Sequence, residues 1–109
     1  VAGGVAGVDP RVMGVGPIPA TEKALAKAEL SIKDIGAFEI NEAFAVQVLA
    51  FCDHFRLAAN DQRINPYGGA IALGHPLASS GVRLMIHLAR AFRDHPEVRY
   101  GITCVRSHR

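Results

Sequence analysis

One near-neutral titratable side chain, His75, stands in the glycine-punctuated run Asn65-Pro66-Tyr67-Gly68-Gly69-Ala70-Ile71-Ala72-Leu73-Gly74-His75-Pro76. A neutral imidazole serves as a general base near physiological pH with little adjustment. Gly68, Gly69 and Gly74 lack a Cβ, so the backbone there can approach a ligand closely. Pro76 fixes the exit of the chain and biases the residue before it away from helix. Two readings stand at this point. His75 either transfers a proton, or it is a core histidine donating to a carbonyl in a glycine-rich turn.

A second polar insertion supplies company. Ala37-Phe38-Glu39-Ile40 reads as a short buried strand that runs directly into Asn41-Glu42 and then an apolar helix. In open α/β sheets, small molecules bind in the crevice beyond the strand carboxyl ends, which is where Asn41 and Glu42 fall. Asn is also a preferred N-cap, so Asn41 capping a helix that begins near Ala43 is the plainer reading.

Asn41-Glu42-Ala43-Phe44-Ala45, followed by Gly68-Gly69-Ala70-Ile71-Ala72-Leu73-Gly74-His75-Pro76, resembles the thiolases. Further matches are Asp9-Pro10-Arg11-Val12-Met13-Gly14-Val15-Gly16-Pro17-Ile18-Pro19-Ala20 and Tyr100-Gly101-Ile102-Thr103, so the resemblance covers nearly all of the chain. It implies an α/β, thiolase-like layered fold of which residues 1–109 are the C-terminal half only. The implied activity is that of an acyl-CoA acyltransferase, which cleaves a 3-ketoacyl-CoA with coenzyme A or runs the Claisen condensation in reverse. The resemblance makes His75 the base that deprotonates a nucleophilic cysteine and a donor to the thioester oxygen. Asn41 would position a water in the same oxyanion hole. Gly74 and Phe44 fall at substrate-binding positions, and Glu42 and Cys104 are further candidates. Acyl-CoA and coenzyme A are the implied partners, as substrates, with no cofactor or metal; the full enzyme would be a homo-oligomer.

The chain departs from that pattern in several places. The nucleophilic cysteine belongs to the family's N-terminal half, so a separate half is an implied partner. Cys104 follows Thr103 two positions earlier than the family's second cysteine, and Val105-Arg106-Ser107-His108-Arg109 replaces the glycine triplet. The closing strand is expected to be absent, which leaves an unprotected sheet edge. Glu29 and Arg56 stand where the family usually has glycine after a helix, and Ala78 replaces a glycine beside the His75 loop. A side chain in the left-handed conformation at a helix end costs about 1 kcal/mol.

The elements that must position these residues follow from periodicity. Val1 to Gly16 reads as a buried strand leaving into a loop at Asp9-Pro10. Thr21 to Leu30 reads as an amphipathic helix with Ala24, Leu25 and Ala28 on one side. Ser31 with Asp34 resembles a capped turn. The helix from Ala43 to about Phe55 carries apolar residues on every side and must be covered all round. The last helix runs from Ser79 or Ser80, either of which could cap it, to about Arg93. Its apolar face is Val82, Met85, Ile86, Ala89 and Phe92, widened by Leu84 and Leu88. Val98 to Val105 reads as a strand. One small sheet cannot cover both helices, so a further layer is expected on the other side. The resemblance implies five alternating layers.

Composition narrows the alternatives. At 109 residues the chain makes one domain, and 50% hydrophobic with 20% charged residues is a globular balance without a membrane span. A net charge of +2 is too small to argue for nucleic acid, and Arg106, His108 and Arg109 read as a solvated basic end. Two cysteines give neither a disulfide framework nor a zinc motif, which fits a reducing cytoplasm. Cys52 and His54 point in different helical directions, which argues against zinc. No Gly-x-Ser-x-Gly elbow supports a serine hydrolase. The remaining alternative to an enzyme part is a noncatalytic remnant or acyl-CoA-associated interaction module.

Overall fold

A computed structural model of the chain describes residues 1–106. At its centre lies β1 (Ala37–Ile40), buried at all four positions. It pairs in parallel with β2 (Gly101–Cys104), in the register Ala37 with Gly101 through Ile40 with Cys104. The strand predicted from Val98 to Val105 is thus shorter than its apolar pattern. On the other side of β1, Phe38 bridges Ile64: Phe38 N donates to the Arg63 carbonyl and Asn65 N to the Phe38 carbonyl, each at 2.8 Å.

Alternation along β1 sends its side chains into two cores. Phe38 and Ile40 pack with Leu25, Ile35, Phe51 and Cys104 against α1 (Pro17–Ala28) and α2 (Ala45–Phe55). Ala37 packs with Leu88 and Ala91 of α4 (Ser80–Asp94) on the opposite face. The result is a helix, sheet, helix sandwich, in agreement with the layered α/β expectation. A single helical turn, α3 (Ala70–Leu73), lies in the glycine-rich run.

Several boundaries differ from the sequence reading. Residues 1–9 form no strand; their carbonyls instead accept from α1 side chains, Lys23 Nζ to Val5 O at 3.2 Å and Lys27 Nζ to Gly3 O at 3.0 Å. Helix α1 begins at Pro17 rather than Thr21, because proline in a first turn lacks only an N–H that the helix does not use. The Ser31 and Asp34 turn forms as expected, with Ser31 N and Oγ donating to Asp34 Oδ2 at 2.7 and 2.8 Å.

The larger correction concerns α4. Its sheet-facing residues are Ser80, Leu84, Leu88 and Ala91, while Val82, Met85 and Ile86, read as core, are about 60% exposed. Small residues on the sheet decide this: a Cβ on Gly101 would collide with Leu88, so the glycine admits the leucine. Helix α4 therefore carries two apolar faces and buries one. On α2, Phe44, Val46 and Leu49 are exposed and Gln47, Phe51 and Cys52 are buried, so this helix also leaves an apolar side uncovered. A groove of about 830 Å³ follows β2 between α1 and α4, lined by Ala20, Thr21, Met85, Phe92, Tyr100 and Thr103 among others.

Both helix ends that lack glycine adopt the left-handed conformation, with φ of 55° at Glu29 and at Arg56. Leu30 N reaches back to Leu25 O, and Leu57 N to Cys52 O, which closes each end. Replacing either residue with glycine is expected to stabilise the fold by about 0.5–1 kcal/mol, because the Cβ penalty disappears while the closing bonds remain. A higher denaturant midpoint for Glu29→Gly and Arg56→Gly checks this, and a lower one contradicts it.

Candidate active site

The site is built where β1 ends and α4 begins. Asn41 continues the ladder, donating its N–H to the Cys104 carbonyl at 2.9 Å. By alternation its side chain falls on the face that carries Ala37 and Glu39, which is the α4 side. The residue is 3% exposed, and its Oδ1 is buried without a hydrogen bond from the described residues. Asn41 does not cap α2: that helix starts at Ala45 after Phe44, with no side-chain cap. The carboxamide is thereby released from the plainer of its two expected roles.

Glu42 turns out to be the clamp of the glycine-rich run. Its Oε1 accepts from Asn65 Nδ2 at 2.8 Å and its Oε2 from Ile71 N at 2.9 Å. Gly69 sits against this carboxylate, where a Cβ would collide with it. Asn65, at φ 45°, also pairs with the end of β1, accepting from Ile40 N at 2.7 Å and donating to Ile40 O at 3.1 Å. Its side chain therefore acts as an extra rung of sheet. The sequence reading passed over Asn65, although asparagine before proline in a turn was the available signal. Glu42→Ala removes the acceptor of two donors and is expected to destabilise by about 1–3 kcal/mol. Urea melts of the variant check this; an unchanged midpoint would mean that water replaces the clamp.

His75 is exposed, at the far end of the same run. Gly74 before it has φ 88° and ψ 170°, a conformation only glycine adopts easily, with no atom packed near a would-be Cβ. The ring is held through Nδ1, 2.7 Å from Ser80 Oγ, and Ser80 is 1% exposed in the first turn of α4. Neither serine caps α4 by its side chain, since Ser80 turns to the imidazole and Ser79 Oγ donates to Pro76 O at 3.3 Å. With Nδ1 engaged, Nε2 is the nitrogen left to meet a reacting group. Arg83, one turn into α4, donates Nη1 to the Gly74 carbonyl at 2.7 Å.

Cys104 lies elsewhere. In register with Ile40, it faces the α1 and α2 core, and its Sγ is 3.3 Å from Thr21 Oγ1. Burial raises its pKa, so a thiolate is disfavoured there. Asn41 and the α4 N-terminus stand on the other face of the sheet, so the drifted spacing leaves this thiol as a core residue. Phe44 is 58% exposed, at the head of α2. Cys52 is buried and unpaired, and no group of three or more metal-ligating side chains forms among the described residues. Of the basic end, His108 and Arg109 lie outside the described residues.

Beneath the site lies an acid that the sequence hid inside an apolar strand. Glu39 is wholly buried, and burial pushes its pKa up to about 7, against the opposing pull of Arg83 and with a smaller push from Glu42. His87 Nδ1 is 3.4 Å from Glu39 Oε2. Burial, then Arg83 and Arg90, lower the His87 pKa, so the ring tends to neutrality.

Comparison with known proteins bears on the family and the fold. Residues 1–107 match the family model described as thiolase, C-terminal domain. The chain is 56% identical over 81 residues to a beta-ketoadipyl-CoA thiolase of Pseudomonas knackmussii, covering 74% of this chain and 20% of that protein. It is 50% identical over 99 residues to a 3-ketoacyl-CoA thiolase of Shigella dysenteriae, covering 90% and 25%. The crystal structure of an acetyl-CoA acetyltransferase from Bacillus anthracis superposes with a TM-score of 0.87 at 39% identity, over 97% of this chain and 27% of that one. The chain thus spans about a quarter of the length of these relatives.

Proposed function

Because the chain belongs to the thiolase family as its C-terminal domain, we propose that it supplies the base and oxyanion donors of an acyl-CoA acyltransferase whose nucleophilic cysteine lies in another half. The observation that carries this reading is His75 held at Nδ1 by the buried Ser80 hydroxyl, which leaves Nε2 presented outward. When Nδ1–H donates to Ser80 Oγ, Nε2 carries the lone pair that accepts a thiol proton. A thiol near pKa 8.5 needs that help to attack a thioester.

Taking the proton turns Nε2–H into a donor. The same ring then stabilises the negative oxygen of the tetrahedral adduct or enolate, as the thiolate–imidazolium pair is consumed. Asn41 Oδ1, buried without a hydrogen-bond partner among the described residues, suits one hydrogen of a water whose other hydrogen points at that oxygen. Gly74 and Phe44 border the place where the thioester would lie. Acyl-CoA and coenzyme A are the substrates of this reading, with thiolysis of a 3-ketoacyl-CoA as one direction and condensation as the other. No resident cofactor is required, and the assembled enzyme would be a homo-oligomer in the cytoplasm. The uncovered sides of α2 and α4 fit a covering half of the protein.

The chain alone is expected to show no thiolysis of acetoacetyl-CoA by coenzyme A, because its one thiol near the sheet end is buried. Supplying a cysteine-bearing N-terminal thiolase half, as a mixture or a fusion, is expected to give turnover. Turnover by the pure chain, or none in the pair when both parts are folded and associated, would overturn the reading. The second outcome would favour a noncatalytic interaction module.

A further inference from the structure

We propose that Arg83, with Glu39 as its buried counter-charge, is a positioning residue that fixes the backbone leading into His75. This rests on the reading of His75 as the base. Three observations carry it.

Gly74 donates its N–H to the Ala70 carbonyl at 2.9 Å, and nothing packs within 4 Å of where its Cβ would lie. Its carbonyl, immediately before His75, accepts from Arg83 Nη1 at 2.7 Å. Leu77, beyond Pro76, is another left-handed residue at φ 39° and is 78% exposed, so the segment is not anchored by burial either. Beyond that N–H, hydrogen bonds from α4 hold the Gly74 carbonyl and the His75 ring. Ser80 holds the ring and Arg83, three residues on, holds the peptide before it, so one helical turn fixes the base at two points.

The second observation is the state of the guanidinium. Arg83 Nε and Nη2 are buried and make no hydrogen bond among the described residues, although a guanidinium is a five-donor fork. The third is the acid opposite. Both Glu39 oxygens are buried without a hydrogen bond among the described residues, and Arg83 is the cation that most favours its charged form. The other charged or titratable groups facing Glu39 are His87 on α4, which tends to neutrality, and Glu42 at the end of β1, which repels it. Arg83 is therefore the cation whose field favours the buried carboxylate, while its Nη1 holds the loop that carries His75.

The test uses the two-half enzyme, with His75→Ala as the reference for loss of the base. Arg83→Lys keeps the charge and the stem but cannot serve both partners. It is expected to lower kcat by about ten- to a hundredfold, the effect of misplacing a reacting group by about an ångström, with KM and melting temperature nearly unchanged. Glu39→Gln is expected to lower kcat in the same direction, and the double variant to be no worse than Arg83→Lys alone. Added guanidinium is expected to restore part of the activity of Arg83→Ala. Wild-type kcat in Arg83→Lys beside an inactive His75→Ala overturns the positioning role and leaves the proposed function standing. An active His75→Ala overturns the proposed function itself. Fully additive losses in the double variant would uncouple Glu39 from Arg83.

Discussion

Turnover by an assembled enzyme carrying His75→Ala is expected to fall by about a thousandfold or more, which is the largest effect that the geometry supports. Two contributions vanish together. General-base assistance is worth about 10²- to 10⁴-fold, and one oxyanion donor about 3 kcal/mol of barrier. They do not simply add, because one nitrogen, Nε2, serves both in turn. The measurement is kcat for thiolysis, paired with the alkylation rate of the nucleophilic cysteine at neutral pH. Both should fall. Ser80→Ala should cost less, since it frees the ring to take either tautomer without removing it. Near-normal turnover in His75→Ala would leave the loop histidine with a packing role.

The second large effect is on stability and comes from Glu39. Its pKa rises from 4.5 to about 7 on folding, so the native state holds that proton more tightly than the unfolded chain. The resulting stability is fully present below pH 4.5 and is lost as pH rises through 7. Integrated over this window it amounts to about 3 kcal/mol. His87 works in the opposite sense, because its lowered pKa gives stability that is lost as pH falls. The comparison that isolates Glu39 is therefore urea unfolding of Glu39→Gln against the parent chain at pH 5 and pH 8. Glutamine is expected to gain relative to the parent on moving to pH 8. A relative loss there would mean that the buried carboxylate is stabilised by Arg83 more than it is penalised by desolvation. Asp61 and Asp94 have lowered pKa values, with Asp94 at about 2, so they are already ionised at pH 5 and add little to this difference.

Much of this was legible in residue types. Ala37–Ile40 was readable as a buried strand because four mostly apolar residues are followed at once by polar ones. The resemblance, which places glycine where this chain has Glu29 and Arg56, marked two helix ends that are left-handed in the structure. What periodicity could not decide was which apolar row of α4 meets the sheet. Both rows have helical spacing, and the choice is made by Ala37 and Gly101, small residues on a different element that leave room for Leu88. The site shows the same division. His75 and Asn41 stand out as polar residues in apolar surroundings, whereas Ser80, Asn65 and Arg83 acquire meaning only when the chain brings together residues 5, 23 or 9 positions apart. Cys104 is the converse case, a residue type suited to chemistry that register turns into the core.

Helix α4, with one flank on the sheet and the other bare, ties the solution behaviour of this polypeptide to mass action. An uncovered apolar flank of this kind invites self-association, so the apparent melting point is expected to rise with protein concentration, which thermal melts over a dilution series check. Titrating in the covering half should then dissolve those self-associated species before it produces any turnover.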